Sequence, residues 1–343
     1  MSVPKIRFSN FINDYEIKEV SDITSNISSG KISKQLEDGE YNVYGSMGII
    51  GKSNFYDYTG EKVLVARVGA NAGSVNKINE KCCISDNTLV LEPKDILNDY
   101  LYYSLSHYNP KRLIFGSGQP LVTGGQLKKI KLGIPSKEEQ IKVSNFLSLL
   151  DKKIELQTKK IEDLKLFKLC INSNLFNGNK TIKLKDICEC KSSTISLSDI
   201  EYDNGIYPIY GANGEIKKIN SYQHNKEYLA IIKDGAGVGK TIICNKKSSI
   251  IATLNALIPN DIPVYYFNEL INKIDFSKYI VGSGIPHIYF KDYSNEKLYL
   301  HEEKERLLIN NLFEKIIIKI ELEENKLHLL EVLKKGLMQN MFV

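Results

Sequence analysis

Slid along itself by 166 residues, the chain meets its own copy. Tyr41-Asn-Val-Tyr44-Gly45-Ser-Met-Gly48-Ile-Ile50 falls on Tyr207-Pro-Ile-Tyr210-Gly211-Ala-Asn-Gly214-Glu-Ile216. The same shift carries Gly69-Ala70-Asn-Ala-Gly73 onto Gly235-Ala236-Gly-Val-Gly239 and Gly116-Ser117-Gly118-Gln-Pro120 onto Gly282-Ser283-Gly284-Ile-Pro286, and it ends with Leu175-Phe176 on Met341-Phe342. Upstream, Ile17-Lys18-Glu19-Val20 matches Leu184-Lys185-Asp186-Ile187 one residue out of step. Solenoid units repeat every ~20 to 50 residues, so a period this long means a duplicated domain.

Each copy changes period part-way. Its first part holds short β-like runs, Lys62–Arg67, Asn87–Leu91, Tyr228–Ile232 and Ser249–Thr253, separated by glycine and asparagine turns. A helical piece, Asn98 to His107, interrupts the first copy. This part reads as a mixed α/β domain on an irregular sheet. The second part, from Ser136 to Phe176, has no glycine or proline, and Val143, Leu147, Leu150, Ile154, Gln157, Ile161, Leu164, Lys168, Ile171 and Leu175 alternate steps of four and three. Such spacing is a coiled-coil seam. Adding 166 gives Ile309, Phe313, Ile316, Ile320, Glu323, Leu327, Leu330, Lys334, Leu337 and Met341, with the polar interruptions at matching places. About 40 helical residues span ~60 Å, too long for one small domain, which favours two helices packed on each other as a spacer.

The 343 residues are 42% apolar and 25% charged, enough for two cores and unlike a disordered chain. No apolar run reaches ~18 residues and no apolar signal core opens the sequence, so a cytoplasmic protein without a membrane segment is expected. Cys82, Cys83, Cys170, Cys188, Cys190 and Cys244 contain no C-x-x-C pair and read as buried thiols. A net charge of +5 permits an anionic partner, though only through a local patch.

Catalytic signatures are missing. Asp234-Gly-Ala-Gly-Val-Gly239-Lys240-Thr241 ends like a phosphate-binding loop, but aspartate stands where a Walker loop needs glycine, and the following Ile242-Ile243-Cys244 is strand-like. It reads as a glycine turn between strands. There is no H-E-x-x-H, no G-x-S-x-G, no Asp/Asn-Pro-Pro-aromatic run of an amino-methyltransferase and no nuclease signature beginning Pro-Asp. His107, His224, His287, His301 and His328 have no ligand spacing and read as surface or capping residues, so neither a metal nor a cofactor is expected.

The chain therefore reads as a binder, and its loops suggest of what. In copy one, Lys52, Arg67, Asn71, Lys111, Arg112, Ser117 and Gln119 lie in or beside glycine turns; in copy two the corresponding regions offer Asn213, Lys217, Lys218, Lys233, Lys240, Ser283 and His287. Arg and Lys suit guanine edges and phosphates, Asn and Gln suit adenine. Lys52 pairs with Lys218 across the repeat, and Arg67 with Lys233.

With these features together, the chain resembles the DNA-specificity subunit of type I restriction-modification systems. Leu127-Lys-Lys-Ile-Lys-Leu-Gly-Ile134-Pro135 followed by Glu138-Glu139-Gln140-Ile141 is similar to that family's strand, proline and Glu-Gln helix start. Leu169–Phe176, repeated as Gly336–Phe342, and the Tyr-x-x-Tyr-Gly-x-x-Gly segments at 41 and 207 fit as well. Copy two departs, with His301 in the proline place and Glu305-Arg306 in the Glu-Gln place. The resemblance implies an α+β chain: target-recognition domain 1 over 1–135, a first spacer helix over 136–177, target-recognition domain 2 over 178–299 and a second spacer helix over 300–343, the helices forming an antiparallel coiled coil. It implies a non-catalytic subunit that reads a split target in double-stranded DNA, one half-site per domain, with the helices setting the gap. Two methylation subunits, which would bind S-adenosylmethionine, and a restriction subunit are the implied partners. Service to a fused restriction-methylation enzyme, or a non-DNA scaffold with two protein-binding domains, are the alternatives.

Overall fold

The computed structural model describes residues 3–32, 37–45, 48–114, 118–200 and 205–343. The chain divides into two compact units, Met1–Thr158 with Lys326–Val343, and Lys159–Asn325. In the first, an antiparallel sheet runs in the order Thr24–Ser29, Thr88–Pro93, Glu61–Ala66, Val75–Asn79. A second sheet orders Gly48–Ser53, Tyr41–Gly45 and Cys82–Ile84, the last two parallel. A two-stranded ladder, Glu16–Glu19 with Lys131–Ile134, leads into the long helix Lys137–Leu175.

The second unit repeats this plan. Its sheets order Cys188–Ser192, Leu254–Pro259, Tyr228–Ile232, Thr241–Cys244, and then Gly214–Ile219, Tyr207–Gly211, Ser249–Ile250. The ladder Ile182–Lys183 with Lys297–Leu298 precedes the helix Glu303–Asn340. The correspondence reaches backbone detail. One β-bulge falls between Val43 and Tyr44 and another between Ile209 and Tyr210, 166 residues on, and Asp95 and Asp261 share a left-handed φ of 58° and 51°.

Four expectations need correction. Each copy has two main sheets instead of one irregular sheet, because the bulged Tyr41 and Tyr207 hairpins take a parallel third strand and do not join the four-stranded ladder. The helix of the first copy, Asn98–Tyr108, has a counterpart at Val264–Ile271, so it belongs to the repeat. The strand at Ser249 ends at Ile250, because Leu254 N–H turns back to the Ile251 carbonyl. Cys170 is exposed, since it lies off the seam between Lys168 and Ile171, and Cys190 is only half-buried.

All ten seam positions of each long helix are buried or half-buried. Within the first unit, Val143 and Leu147 join one core with Met341 and Phe342, while further along Asp151 meets Lys334. Within the second, Phe176 packs on Phe313 with centroids 6.3 Å apart, and Lys160 bonds Glu323 at 2.7 Å. Rising numbers on one helix meet falling numbers on the other in both units, so the packing is antiparallel. The polar seam positions are satisfied. Lys168 meets Glu269 at 2.6 Å, and that carboxylate, 2% exposed, also accepts from Asn172 and Asn268. Asp151 accepts from Tyr103 Oη at 2.7 Å as well as from Lys334.

The Glu-Gln pair explains itself at the start of the first long helix. Glu139, 1% exposed, receives Arg7 through Nε and Nη2, each at 2.8 Å, and Tyr15 Oη at 2.9 Å. Gln140 accepts from Leu97 N–H at 3.0 Å and donates to the Pro135 carbonyl at 3.0 Å. At the repeat position of Leu97 stands Pro263, which has no N–H to satisfy, so a glutamine at position 306 would have no such donor. There Asn310 accepts from Tyr265 and Tyr266 N–H instead, both at 3.1 Å, and His301 bonds Tyr266 Oη. Among the described residues no helix is long and apolar enough to cross a membrane.

Phe313 is fully buried and touches Phe176, so Phe313→Ala is expected to destabilise the protein by about 3–5 kcal/mol. Leu308→Ala, at a site 71% exposed on the same helix, is expected to change stability by less than about 0.5 kcal/mol. Urea unfolding of the two variants checks the packed face.

Candidate nucleic-acid interface

Three chain segments converge in the first unit. The strand Glu61–Ala66 leaves its sheet at Arg67 and turns through Gly69 and Gly73 before Val75 re-enters. Gly69 N–H donates to the Pro120 carbonyl at 3.0 Å, and Val122 N–H to the Arg67 carbonyl at 2.8 Å, which ties the turn to the 118–122 segment. Gly73 has φ +81°, and a Cβ there would lie 2.5 Å from Lys111 N, so the turn also sits directly on the short helix Pro110–Leu113. Arg67, Asn71, Lys111, Arg112 and Gln119 are thereby brought together. Lys111, Arg112, Asn71 and Gln119 are exposed, and the Arg112 guanidinium lies over the Tyr108 ring, 4.9 Å from its centroid. Such stacking holds the planar fork in one orientation.

The second unit makes the same bonds 166 residues later. Gly235 N–H donates to the Pro286 carbonyl at 2.8 Å and Ile288 N–H to the Lys233 carbonyl at 3.0 Å. A Cβ at Gly239, φ +87°, would meet Phe276 Cβ at 2.7 Å, so this turn sits on the short helix Phe276–Tyr279. Asp234 and Val281 both bridge to His287, drawing Ser283 and His287 to the turn that carries Lys233 and Lys240. The turn joins two strands, with no helix after it, as its sequence implies. Lys233 lies 4.0 Å from Asp234. Burial pushes the nearby Cys190 thiol up to about 11, with the Lys233 ammonium pulling it down.

Not every residue chosen from sequence gathers here. Lys52 and Lys218 stand inside strands of the three-stranded sheets, not in turns; Lys52 Nζ donates to Asn42 Oδ1 at 2.8 Å, and Lys217 Nζ to the Ile200 carbonyl at 2.7 Å. Asn213 tips the Gly211–Gly214 hairpin and lines a cleft of about 450 Å³ with Lys165, Lys168 and Thr241. Ser117 lies outside the described residues. One residue was overlooked. Lys278, exposed on the short helix Phe276–Tyr279, occupies the repeat position of Arg112. Applying the 166-residue shift to Arg112 would have found it.

The surface reading of the histidines fails for His224, which is 8% exposed and packs on the Tyr228 ring with centroids 4.5 Å apart. Burial lowers its pKa, first and foremost, and Lys191 lowers it further. Among the described residues no group of three or more His, Cys, Asp or Glu side chains could hold a metal ion. The gathered surface thus offers cations, amides, an imidazole and a hydroxyl for recognition.

The family model for the type I restriction modification DNA specificity domain matches twice, over residues 12–166 and 177–332. The chain belongs to this family. A Mycoplasma pneumoniae protein assigned as a type I specificity subunit is 28% identical over 191 residues, 50% of this chain and 60% of that protein. The EcoprrI specificity subunit of Escherichia coli is 28% identical over 35% of the chain and 30% of its own length. The chain thus matches less than two thirds of these relatives. The crystal structure of the type I S subunit from M. genitalium covers 99% of both chains with a TM-score of 0.78 at 18% identity, a likeness of fold.

Because Gly73 and Gly239 combine a left-handed φ with a wall of neighbouring atoms, Gly73→Ala and Gly239→Ala are each expected to destabilise the chain by more than about 1 kcal/mol. Gly118→Ala, with open space at its Cβ, is expected to be near neutral. Thermal unfolding distinguishes the sites.

Proposed function

We propose that this chain is the DNA-binding specificity subunit of a type I restriction-modification complex, reading a split double-stranded target with one half-site per domain. The observation that carries this reading is the twice-built convergence of a glycine turn, a short helix and a following bridge segment, each bearing three cations: Arg67, Lys111 and Arg112 in one unit, Lys233, Lys240 and Lys278 in the other. Cations on a shared loop surface position a duplex through its phosphates, and amides or imidazole beside them suit base edges. Family membership points the same way.

The long helices are the docking ground for partners. Leu156, Leu166 and Phe167 are more than half exposed on the first helix, and their repeat positions Leu322, Val332 and Leu333 are more than half exposed on the second. An apolar patch repeated at matching positions suits two copies of one partner, in this reading the methylation subunits, with a restriction subunit joining the full complex. The methyl donor S-adenosylmethionine belongs to the methylation subunit. In this reading the catalytic groups belong to the partner subunits as well.

Three outcomes follow. The isolated chain is expected neither to methylate nor to cleave DNA, and adenine methylation is expected on adding the methylation subunit; methylation by the pure chain would overturn the assignment. Its DNA affinity is expected to fall steeply between about 50 and about 200 mM salt, as neutralised phosphates require, whereas a protein scaffold would show no DNA binding to lose. Removing seven residues from the middle of each long helix, 155–161 and 324–330, keeps the heptad phase. Methylation mapping is expected to return both half-sites unchanged with a shorter spacer between them.

A further inference from the structure

The two copies serve as an internal alignment at matched positions on a shared backbone. Both domains would face the same sugar-phosphate backbone, while half-sites that differ demand different base readers. Side chains that keep their character across the repeat are therefore suited to what the half-sites have in common, and those that change are suited to what distinguishes them. Within the converged surface the split is clear. Arg67 corresponds to Lys233 and Arg112 to Lys278, basic in both copies. Asn71 corresponds to Gly237, Ser74 to Lys240, Lys111 to Ser277, Gln119 to Ile285 and Leu121 to His287, each pair differing in charge or hydrogen-bonding character.

We propose that Arg112 and Lys278, with Arg67 and Lys233, bind phosphates and place each domain on DNA without reading sequence, and that Gln119 in the first domain and His287 in the second read bases. This rests on the DNA-binding reading above. The geometry supports the division. Arg112 and Lys278 are exposed on the short helices against which the glycine turns pack. Gln119 and His287 lie on the segments that bond back to those turns, Gln119 beside the Pro120 carbonyl that receives Gly69 N–H and His287 in the bridge to Asp234. The His287 ring is held against Tyr289, centroids 5.1 Å apart, and its Nδ1 lies 3.1 Å from the Ile285 carbonyl. This leaves Nε2 as the ring nitrogen available to an outside partner. Lys278 is engaged at 3.7 Å by Asp275, an exposed pair that a phosphate can replace at little cost.

The test uses the full chain assembled with its methylation subunit and the variants Arg112→Gln, Lys278→Gln, Gln119→Ala and His287→Ala. For the first two, affinity is expected to fall alike on target and unrelated DNA. The slope of log affinity against log salt is expected to flatten by about 0.9 for each phosphate no longer neutralised, and the methylated motif is expected to stay the same. Arg112→Lys is expected to restore most of the affinity. For Gln119→Ala and His287→Ala, discrimination is expected to relax roughly 5- to 140-fold at a position in one half-site, a different half-site for each, with the salt slope unchanged. A changed motif from Arg112→Gln or Lys278→Gln, or a uniform loss on all DNA from Gln119→Ala and His287→Ala, overturns the division of labour while leaving DNA binding intact. If the unaltered complex shows no salt-dependent DNA affinity, the DNA-binding reading itself has failed.

Discussion

A seam of aliphatic side chains is indifferent to a slide of one heptad; charges that must find each other across it are not. In this chain the polar seam residues Lys168 and Lys334 carry that burden. Lys168 meets Glu269 on the helix Val264–Ile271, and Lys334 meets Asp151, which also holds Tyr103 of the helix Asn98–Tyr108. Each long helix is thereby referenced to the globular core of a unit as well as to its partner helix. Both pairs are at least partly withdrawn from water; such ion pairs contribute little net stability, and their best-attested use is to select one register over its neighbours. Glu269 stands at the repeat position of Tyr103, so the two units reach the same end with different chemistry.

Much of this was legible in the sequence because it follows from periods. A seam is a one-dimensional pattern, and its twenty positions all came out buried or half-buried. The duplication is likewise a property of the string, and it extends to the bulges at Tyr44 and Tyr210. What the string conceals is which turns meet. Lys52 and Lys218 look like turn residues because Gly48 and Gly51 lie just before the one and Gly214 before the other, yet their hairpins form the separate three-stranded sheets. The gathering of Arg67 with Gln119, and of Lys233 with His287, depends on backbone bonds between segments some 50 residues apart, such as Gly69 to Pro120, and that with Arg112 and Lys278 on the close packing of Gly73 and Gly239 against the short helices; for neither does local composition carry a signal. Side-chain patterning records burial, whereas the meeting of loops is recorded only in the geometry of the finished chain.

The Glu-Gln helix start shows how a departure from pattern can be structural in origin. Gln140 is needed in the first copy because Leu97 presents an N–H; Pro263 removes that donor in the second, and with it the reason for a glutamine at 306. Glu139 similarly answers to Arg7 and Tyr15. These residues anchor helices. Their recurrence in a sequence pattern is a matter of fold, and the cationic turns are the place to look for recognition.

The aromatic closure of each core has a consequence for how the chain comes into being. Phe176 packs on Tyr266 and, at the repeat positions, Phe342 packs on Tyr100, while Ile6 N–H donates to the Asn340 carbonyl. One unit is a continuous stretch, 159–325, but the other needs residues 326–343 to complete the core begun by its first 158. On a ribosome moving at roughly 5–20 residues per second, the stretch between Ile134 and Met341 takes about 10–40 s to appear. During that interval the earlier-made domain waits with the Tyr100 side of its core uncovered, and the later-made one can close first. Folding order would then run against synthesis order, which makes the half-built first domain the natural client for a chaperone.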